Sequence, residues 1–316
     1  MIHSAVCDIF SIEYPIFQGG MAWISDGKLA AAVSEGGGLG IISAMNANGE
    51  YLREQIRIAR SLTSKPFGVN VMLLSPYVDE VAMILAEERV PVVTTGAGSI
   101  SPKHMRLWLD AGIKVVPVVP SVAHARRAER DGASAVIAEG EESGGHIGEL
   151  TTIAIVPQVC DAVSIPVLAA GGIADGRGVA AAFMLGAAGV QLGTRFLVAN
   201  ECGVHPVYKE KILTATDTST TMTGKRFGHP CRCIKNAFAR EYLKAEYAPE
   251  ATAESVEALG IGALRHAAVE GDSKNGCFLA GQIAGLVKKE QPAADIIREI
   301  FEETETLLGG ARKWIQ

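Results

Sequence analysis

The chain has 316 residues, 48% of them hydrophobic and 20% charged, with a net charge of −6 at pH 7. This composition supports a buried core and excludes general disorder, while the acidic balance argues against nucleic acid as a partner, because neutralising phosphates needs a basic surface. Its 35 glycines outnumber the 9 Phe, 3 Trp and 6 Tyr together, which suits tight turns and close backbone approach more than an aromatic-lined groove.

Short apolar runs recur along the chain, at 15–21, 38–43, 67–73, 90–95, 114–119, 135–139, 166–170 and 189–194. Rich in Val and Ile and without alternation, they read as strands buried on both faces. Helical patterns lie between them. Gly36, Gly37 and Gly38 read as a helix-ending turn before the second run. Ser75-Pro76 and Ser101-Pro102 each offer a capping hydroxyl followed by a proline at the first helical position. Pro117 sits inside the fifth run, where proline removes a ladder donor, so a bulge or distortion is expected there.

Eight strand–helix units in about 200 residues predict a (β/α)8 TIM barrel, an α/β fold. A doubly wound sheet has no need of eight evenly spaced units, and no G-x-G-x-x-G follows the first run. The expected organisation is a barrel over residues 1–200, a small helical appendage over 201–290, and a C-terminal helix over 291–316 that packs back on the barrel. Between His205 and Lys244 eight Lys and Arg face three acids, a local charge of +5 that leaves −11 for the remainder.

No run of 18 apolar residues occurs, so no membrane span is expected. The first fifteen residues carry neither a basic start nor a long apolar stretch, so no secretory signal is read. Six cysteines are too sparse for a disulfide scaffold, and Cys231 and Cys233 have no second pair at zinc spacing. A cytoplasmic protein without a metal site is the expectation.

In a barrel the active site lies at the C-terminal ends of the strands, and the loops after the seventh and eighth commonly hold a phosphate. Those ends read Ala169-Ala-Gly171-Gly172 and Gln191-Leu-Gly193-Thr194. The glycines let backbone N–H groups approach phosphate oxygens, and Thr194 adds a hydroxyl. After the sixth run, His146 follows Gly144 and Gly145, with neighbours too small to keep a ligand away. An imidazole there can donate or accept a proton near neutral pH, although a loop histidine facing solvent is an equal reading. His205, His229 and His266 have weaker contexts and read as structural or surface residues.

Pro15-Ile-Phe-Gln-Gly-Gly-Met-Ala22, Pro66-Phe-Gly-Val-Asn70, Val93-Thr-Thr-Gly-Ala-Gly98, Gly144-Gly-His146, Ala169-Ala-Gly-Gly172 and Gln191-Leu-Gly-Thr194 together resemble the flavin-dependent barrels of the nitronate monooxygenase superfamily. Within it, the chain more closely resembles the fatty-acid branch, the FMN-dependent enoyl-acyl-carrier-protein reductases II. That likeness runs on through Phe227-Gly-His229, Ile234-Lys-Asn236 and Ala280-Gly-Gln-Ile-Ala-Gly285. The resemblance implies an FMN whose phosphate sits on Gly171, Gly172, Gly193 and Thr194. Its ring would lie over Gly20, Met21 and Ala22 and contact Asn70, with Gln191 nearby and Glu139 also in the cofactor site. It further implies NADH as co-substrate, His146 as the catalytic histidine, a homodimer, and an acyl carrier protein bearing an enoyl thioester as partner. A bound monovalent cation is compatible with it, with no ligands assigned. The basic segment 205–244 would then face that acidic carrier, unless it is an ordinary solvated helix face. Two rival readings are a nitronate monooxygenase using FMN and O2, and a non-catalytic flavin- or phosphate-binding barrel.

Overall fold

The computed structural model describes residues 2–44 and 48–311. In chain order the strands are β1 (Ile16–Gln18), β2 (Gly40–Ser43), β3 (Phe67–Met72), β4 (Val92–Gly96), β5 (Lys114–Val119), β6 (Val136–Glu139), β7 (Gly145–His146), β8 (Val167–Ala170) and β9 (Gly189–Leu192). All except β7 form one parallel sheet in the order β1-β9-β8-β6-β5-β4-β3-β2. Between β1 and β2 the ring closes on a single bridge, Phe17 to Leu39, where the Gln18 N–H donates to the Leu39 carbonyl at 3.0 Å. The fold is the expected (β/α)8 barrel.

The strands read as continuous apolar runs because both their faces are covered. Every residue of β1, β2, β8 and β9 is buried. The N-terminal end of the barrel is stoppered by the helix Ala5–Phe10, whose Phe10 ring meets Phe17 edge-on at 5.1 Å. Around the outside the packing falls into two parts. One gathers side chains of β3, β4 and their helices, including Leu52, Val69, Leu85, Val93 and Trp108; the other gathers the later units with Ile16 of β1. The helix Ala293–Gly309 joins the second part, burying Ile296, Ile297, Ile300 and Phe301 against the helices Gly176–Met184 and Gly27–Glu35. It therefore lies across the region where the last unit meets the first.

Three local expectations need comment. Pro117 makes no bulge: the offset between β4 and β5 is constant from Val92↔Lys114 to Thr95↔Pro117. Pairing with β6 begins only at Val118, so the missing N–H falls where the ladder passes from one neighbour to the other. The helix expected from Ser75-Pro76 starts later, at Val78, because the Ser75 hydroxyl accepts the Tyr77 N–H and holds a turn before it. The start at Ser101-Pro102 is as expected, with the Ser101 hydroxyl accepting from His104.

The segment after the barrel is not purely helical. Beside the helices Pro206–Leu213 and Ala237–Glu246 it contains β10 (Thr220–Thr223) and β11 (Cys231–Ile234), an antiparallel hairpin. β11 pairs in turn with β7, Cys231 opposite His146, so the small sheet runs β10-β11-β7. Among the described residues, no helix is long and apolar enough to cross a membrane.

Candidate active site

The C-terminal ends of the barrel strands form the floor of the site. Gly20 lies against Asn70 so closely that a Cβ on it would stand 2.3 Å from the Asn70 Cβ, and Gly19 packs on the Gln191 side chain. Asn70 is fixed in turn, its amide donating to the Thr94 hydroxyl at 3.0 Å. Met21 closes a turn in which its N–H donates to the Ser25 hydroxyl at 2.9 Å, and its sulfur approaches the position a Cβ on Gly193 would take. Thus Gly20, Met21, Asn70, Gln191 and Gly193, from the ends of β1, β3 and β9, come together; Ala22 follows on the same turn.

Gly171 and Gly172 both have positive φ, 86° and 71°, a conformation that costs other residues strain. A side chain on Gly171 would also strike the Gly140 carbonyl at 2.8 Å. The turn they make leads to the helix Gly176–Met184, whose first N–H groups are capped by Asp175. Thr194 is buried; its oxygen accepts the Gly281 N–H at 2.9 Å, which leaves the hydroxyl proton to donate elsewhere. Arg195, next in the chain, is buried away from this loop and donates to Gln291 at 2.8 Å.

Glu139 ends β6. Part of its surface is open to the barrel mouth, yet protein surrounds it closely enough that desolvation pushes its carboxyl up to about 7, offset slightly by the nearby Ser143 hydroxyl. Ser143 itself is buried and lacks a hydrogen bond of ordinary geometry. A carboxylic acid that keeps its proton near neutral pH is a hydrogen-bond donor as well as an acceptor.

Above the floor stands the sheet containing His146. Its strand is tied down from several sides. Arg232 of β11, itself buried, donates Nε to the Glu141 carbonyl at 3.0 Å, and the Gln282 N–H donates to the Glu142 carbonyl at 2.9 Å. The Glu142 carboxylate accepts the backbone N–H of Thr152 at 2.9 Å and its hydroxyl at 2.8 Å. Gly144 abuts Ala280 so tightly that a Cβ would lie 2.6 Å from its carbonyl carbon. These contacts account for the distant Ala280-Gly-Gln stretch, which clamps the His146 loop to Thr194 of the barrel. His146 is exposed, yet nearby protein partly desolvates its ring, and this desolvation followed by the charge of His229 lowers its pKa.

Sequence reasoning read His229 as structural or surface; it is exposed, yet it stands near enough for its charge to bear on His146. His205 caps the helix Pro206–Leu213, its Nδ1 accepting the Val207 N–H, and His266 bonds Glu270. The basic segment is also partly consumed by structure. Lys209 is buried on Glu290 and the Ala199 carbonyl, Arg232 is buried as described, and Arg226 donates to the carbonyls of Glu246 and Ala248. Lys225, Lys235, Arg240 and Lys244 remain exposed. At the opposite end of the barrel a cleft of about 440 Å³ is also lined by cations. There Arg60 bonds Glu88 and Lys65 donates to the Glu35 carbonyl at a helix end, so these charges serve helix C-termini.

A family model described as nitronate monooxygenase matches residues 3–82 and 74–303. A probable nitronate monooxygenase of Staphylococcus aureus (strain MSSA476) is 33% identical, over 95% of this chain and 97% of its own. Among solved structures, FabK from Thermotoga maritima is 49% identical with a TM-score of 0.96, all of both chains being covered. A nitroalkane oxidase from Streptomyces ansochromogenes is 31% identical with a TM-score of 0.85, over 99% of this chain and 100% of the other.

Proposed function

The chain belongs to the nitronate monooxygenase family, whose members are flavin-dependent oxidoreductases, and on that premise we propose that it is an FMN-dependent enoyl-acyl-carrier-protein reductase using NADH. The observation that carries the reading is the full-length likeness to FabK, the enoyl-acyl-carrier-protein reductase II, at 49% identity. The floor fits a flavin mononucleotide. The Gly171-Gly172 turn accepts no larger residue without strain, the Thr194 proton is left to donate, and Asn70, Gln191 and Glu139 offer polar groups to a planar ring system.

Bound FMN supplies hydride-transfer chemistry between the nicotinamide and the substrate. The protein's residues do the rest. The N–H groups of Gly171, Gly172 and Gly193 and the Thr194 hydroxyl would hold the phosphate. Gly20, Met21 and Ala22 would carry the ring, with Asn70 and Gln191 at its polar edge and Glu139 donating from its protonated form. His146, over the mouth, delivers a proton to the α-carbon as hydride reaches the β-carbon of the enoyl thioester, or stabilises the developing enolate. Exposed Lys225, Lys235, Arg240 and Lys244 would meet the acidic carrier protein. The reading includes a cytoplasmic homodimer working in fatty-acid elongation, with room for a bound monovalent cation.

Mixing the purified yellow protein anaerobically with NADH should bleach the flavin, and a crotonyl thioester should restore the colour. A flavin that stays oxidised with NADH but is reduced by a nitronate would overturn this reading. It would favour the alternative, a nitronate monooxygenase using FMN and O2 with His146 as base, which the 33% and 31% identical relatives support.

A further inference from the structure

Two imidazoles share one face of the lid sheet. Cys231 is the register partner of His146, and the Ile147 N–H donates to the Pro230 carbonyl at 3.0 Å, which carries the antiparallel ladder one residue further. Continuing that register puts His229 opposite Gly148, diagonal to His146 and on the same side of the sheet. Diagonal neighbours of this kind lie about 7–8 Å apart at the backbone, a span that two imidazoles close directly or through one water.

His229 is held there, although its side chain is exposed. Its N–H donates to the Gly224 carbonyl at 3.0 Å, closing a turn in which Gly224 and Gly228 both have positive φ. The turn is anchored by Glu246, a fully buried carboxylate that accepts the N–H groups of Gly224 and Arg226, each at 2.8 Å. On its solvent side His229 Nε2 stands 3.6 Å from the Glu257 carboxylate, itself exposed. The turn thus fixes His229 close enough for its charge to bear on His146, with the Glu257 carboxylate beside its ring.

We infer that His229, tethered by Glu246 and backed by Glu257, is a positioning residue that passes protons from solvent to His146. The inference rests on the reductase reading, in which each turnover consumes one proton inside the site. The enoyl double bond gains a hydride at the β-carbon, its two electrons coming from NADH by way of the flavin, and a proton at the α-carbon. His146 gives up that proton and becomes neutral. His229 reprotonates it and recovers its own proton from water, so charge and atoms balance. Local desolvation and the neighbouring His229 favour the neutral form of His146, exposed though it is, and a neutral ring has no acidic proton to give, so a proton donor beside it has a use. His229 is the charge that bears on His146, and Arg232 on β11 is committed to the Glu141 carbonyl.

His229→Gln in the FMN-loaded enzyme tests this. Stopped-flow reduction by NADH and the KM for crotonyl thioester should stay within about twofold, while reoxidation by the thioester falls about tenfold, a modest fraction of what general acid catalysis supplies. Added imidazole should restore most of the loss, and Glu257→Gln should give a smaller fall. The second readout is the NMR titration of His146 in ¹³C-histidine-labelled protein, which should move upward once His229 is gone. Unchanged reoxidation together with an unmoved titration would overturn the inference, as would equal loss in both half-reactions. Should the wild type fail to reduce enoyl thioesters, the reductase reading falls by itself; the His146 titration still decides whether the two rings interact.

Discussion

Asn70, Glu139 and Gln191 stand on β3, β6 and β9, each of which has a paired strand on both sides. His146 stands on a two-residue strand whose single partner is β11, and its position depends on side-chain ties such as Arg232 to Glu141. The floor is therefore fixed by the barrel's main chain, and the lid by contacts that converge from residues far apart in sequence. On the proposed reading, cofactor binding and proton delivery would be housed in parts that can be damaged separately. A floor fixed by the barrel under a separately built lid would let one barrel serve different electron acceptors, because changes in the lid need not disturb the floor.

Damage to the lid alone should have the largest effect on turnover. His146→Ala is expected to lower the steady-state rate about hundredfold, at the lower end of what a positioned acid contributes, with FMN retained by absorbance. Unchanged turnover would remove its role. Damage to the floor should show the opposite pattern. Gly20→Ala places a methyl 2.3 Å from the Asn70 Cβ; overpacking of about 1–3 kcal/mol should weaken FMN affinity roughly ten- to hundredfold, measured by flavin fluorescence, while the His146 titration stays in place.

Glu139 gives the floor a pH signature. Its folded pKa of about 7 lies above the ordinary 4.5, so the folded protein keeps a proton that the unfolded chain has already lost. Stability should therefore fall as pH rises from about 4.5 through 7. Glu139→Gln should flatten that fall by about 1–3 kcal/mol in urea melts at pH 5 and pH 8, the range allowing for partial solvent screening. Equal slopes for both proteins would show that burial does not hold the proton. The smallest effect belongs to the outer surface. Reversing exposed Lys225, Lys235 and Lys244 to Glu should raise the KM for carrier-bound substrate about threefold and leave a short CoA thioester nearly unaffected. Equal changes for both substrates would sink the docking role.

The eight barrel strands were legible because burial on both faces leaves an unbroken apolar run, and the floor glycines stood out because positive φ needs Gly171 and Gly172 and close approach needs Gly20. The lid was not. Thr220–Thr223 is half-exposed and polar, Cys231–Ile234 is interrupted by a buried Arg232, and neither alternates clearly. Their identity as strands comes from pairing with each other and with residues some eighty positions earlier. His229 was passed over for the same reason: nothing beside it in sequence says that His146 is its neighbour. The charge count misled in a different way. It counted Lys209 and Arg232 with the surface charges, although both are buried on carbonyls or a carboxylate, and Arg226, exposed, is spent on two carbonyls. Glu139 was placed by resemblance, but its retained proton follows from burial, which sequence does not display.

Sealing the barrel is a late event by construction. The units from β2 to β5 pair with neighbours close in sequence, but β1 finds its ladder partner only when Ile16 meets Val190, and its other edge has the Phe17–Leu39 bridge and the Ile41 N–H on the Gln18 side chain. Closing so long a loop costs entropy before any contact repays it. Until the helix Ala293–Gly309 arrives to bury Ile297 and Phe301, the first strand has little to hold it. β1 is thus the strand whose sheet contacts depend most on the chain's last units, so a chain truncated before β9 leaves it without its ladder.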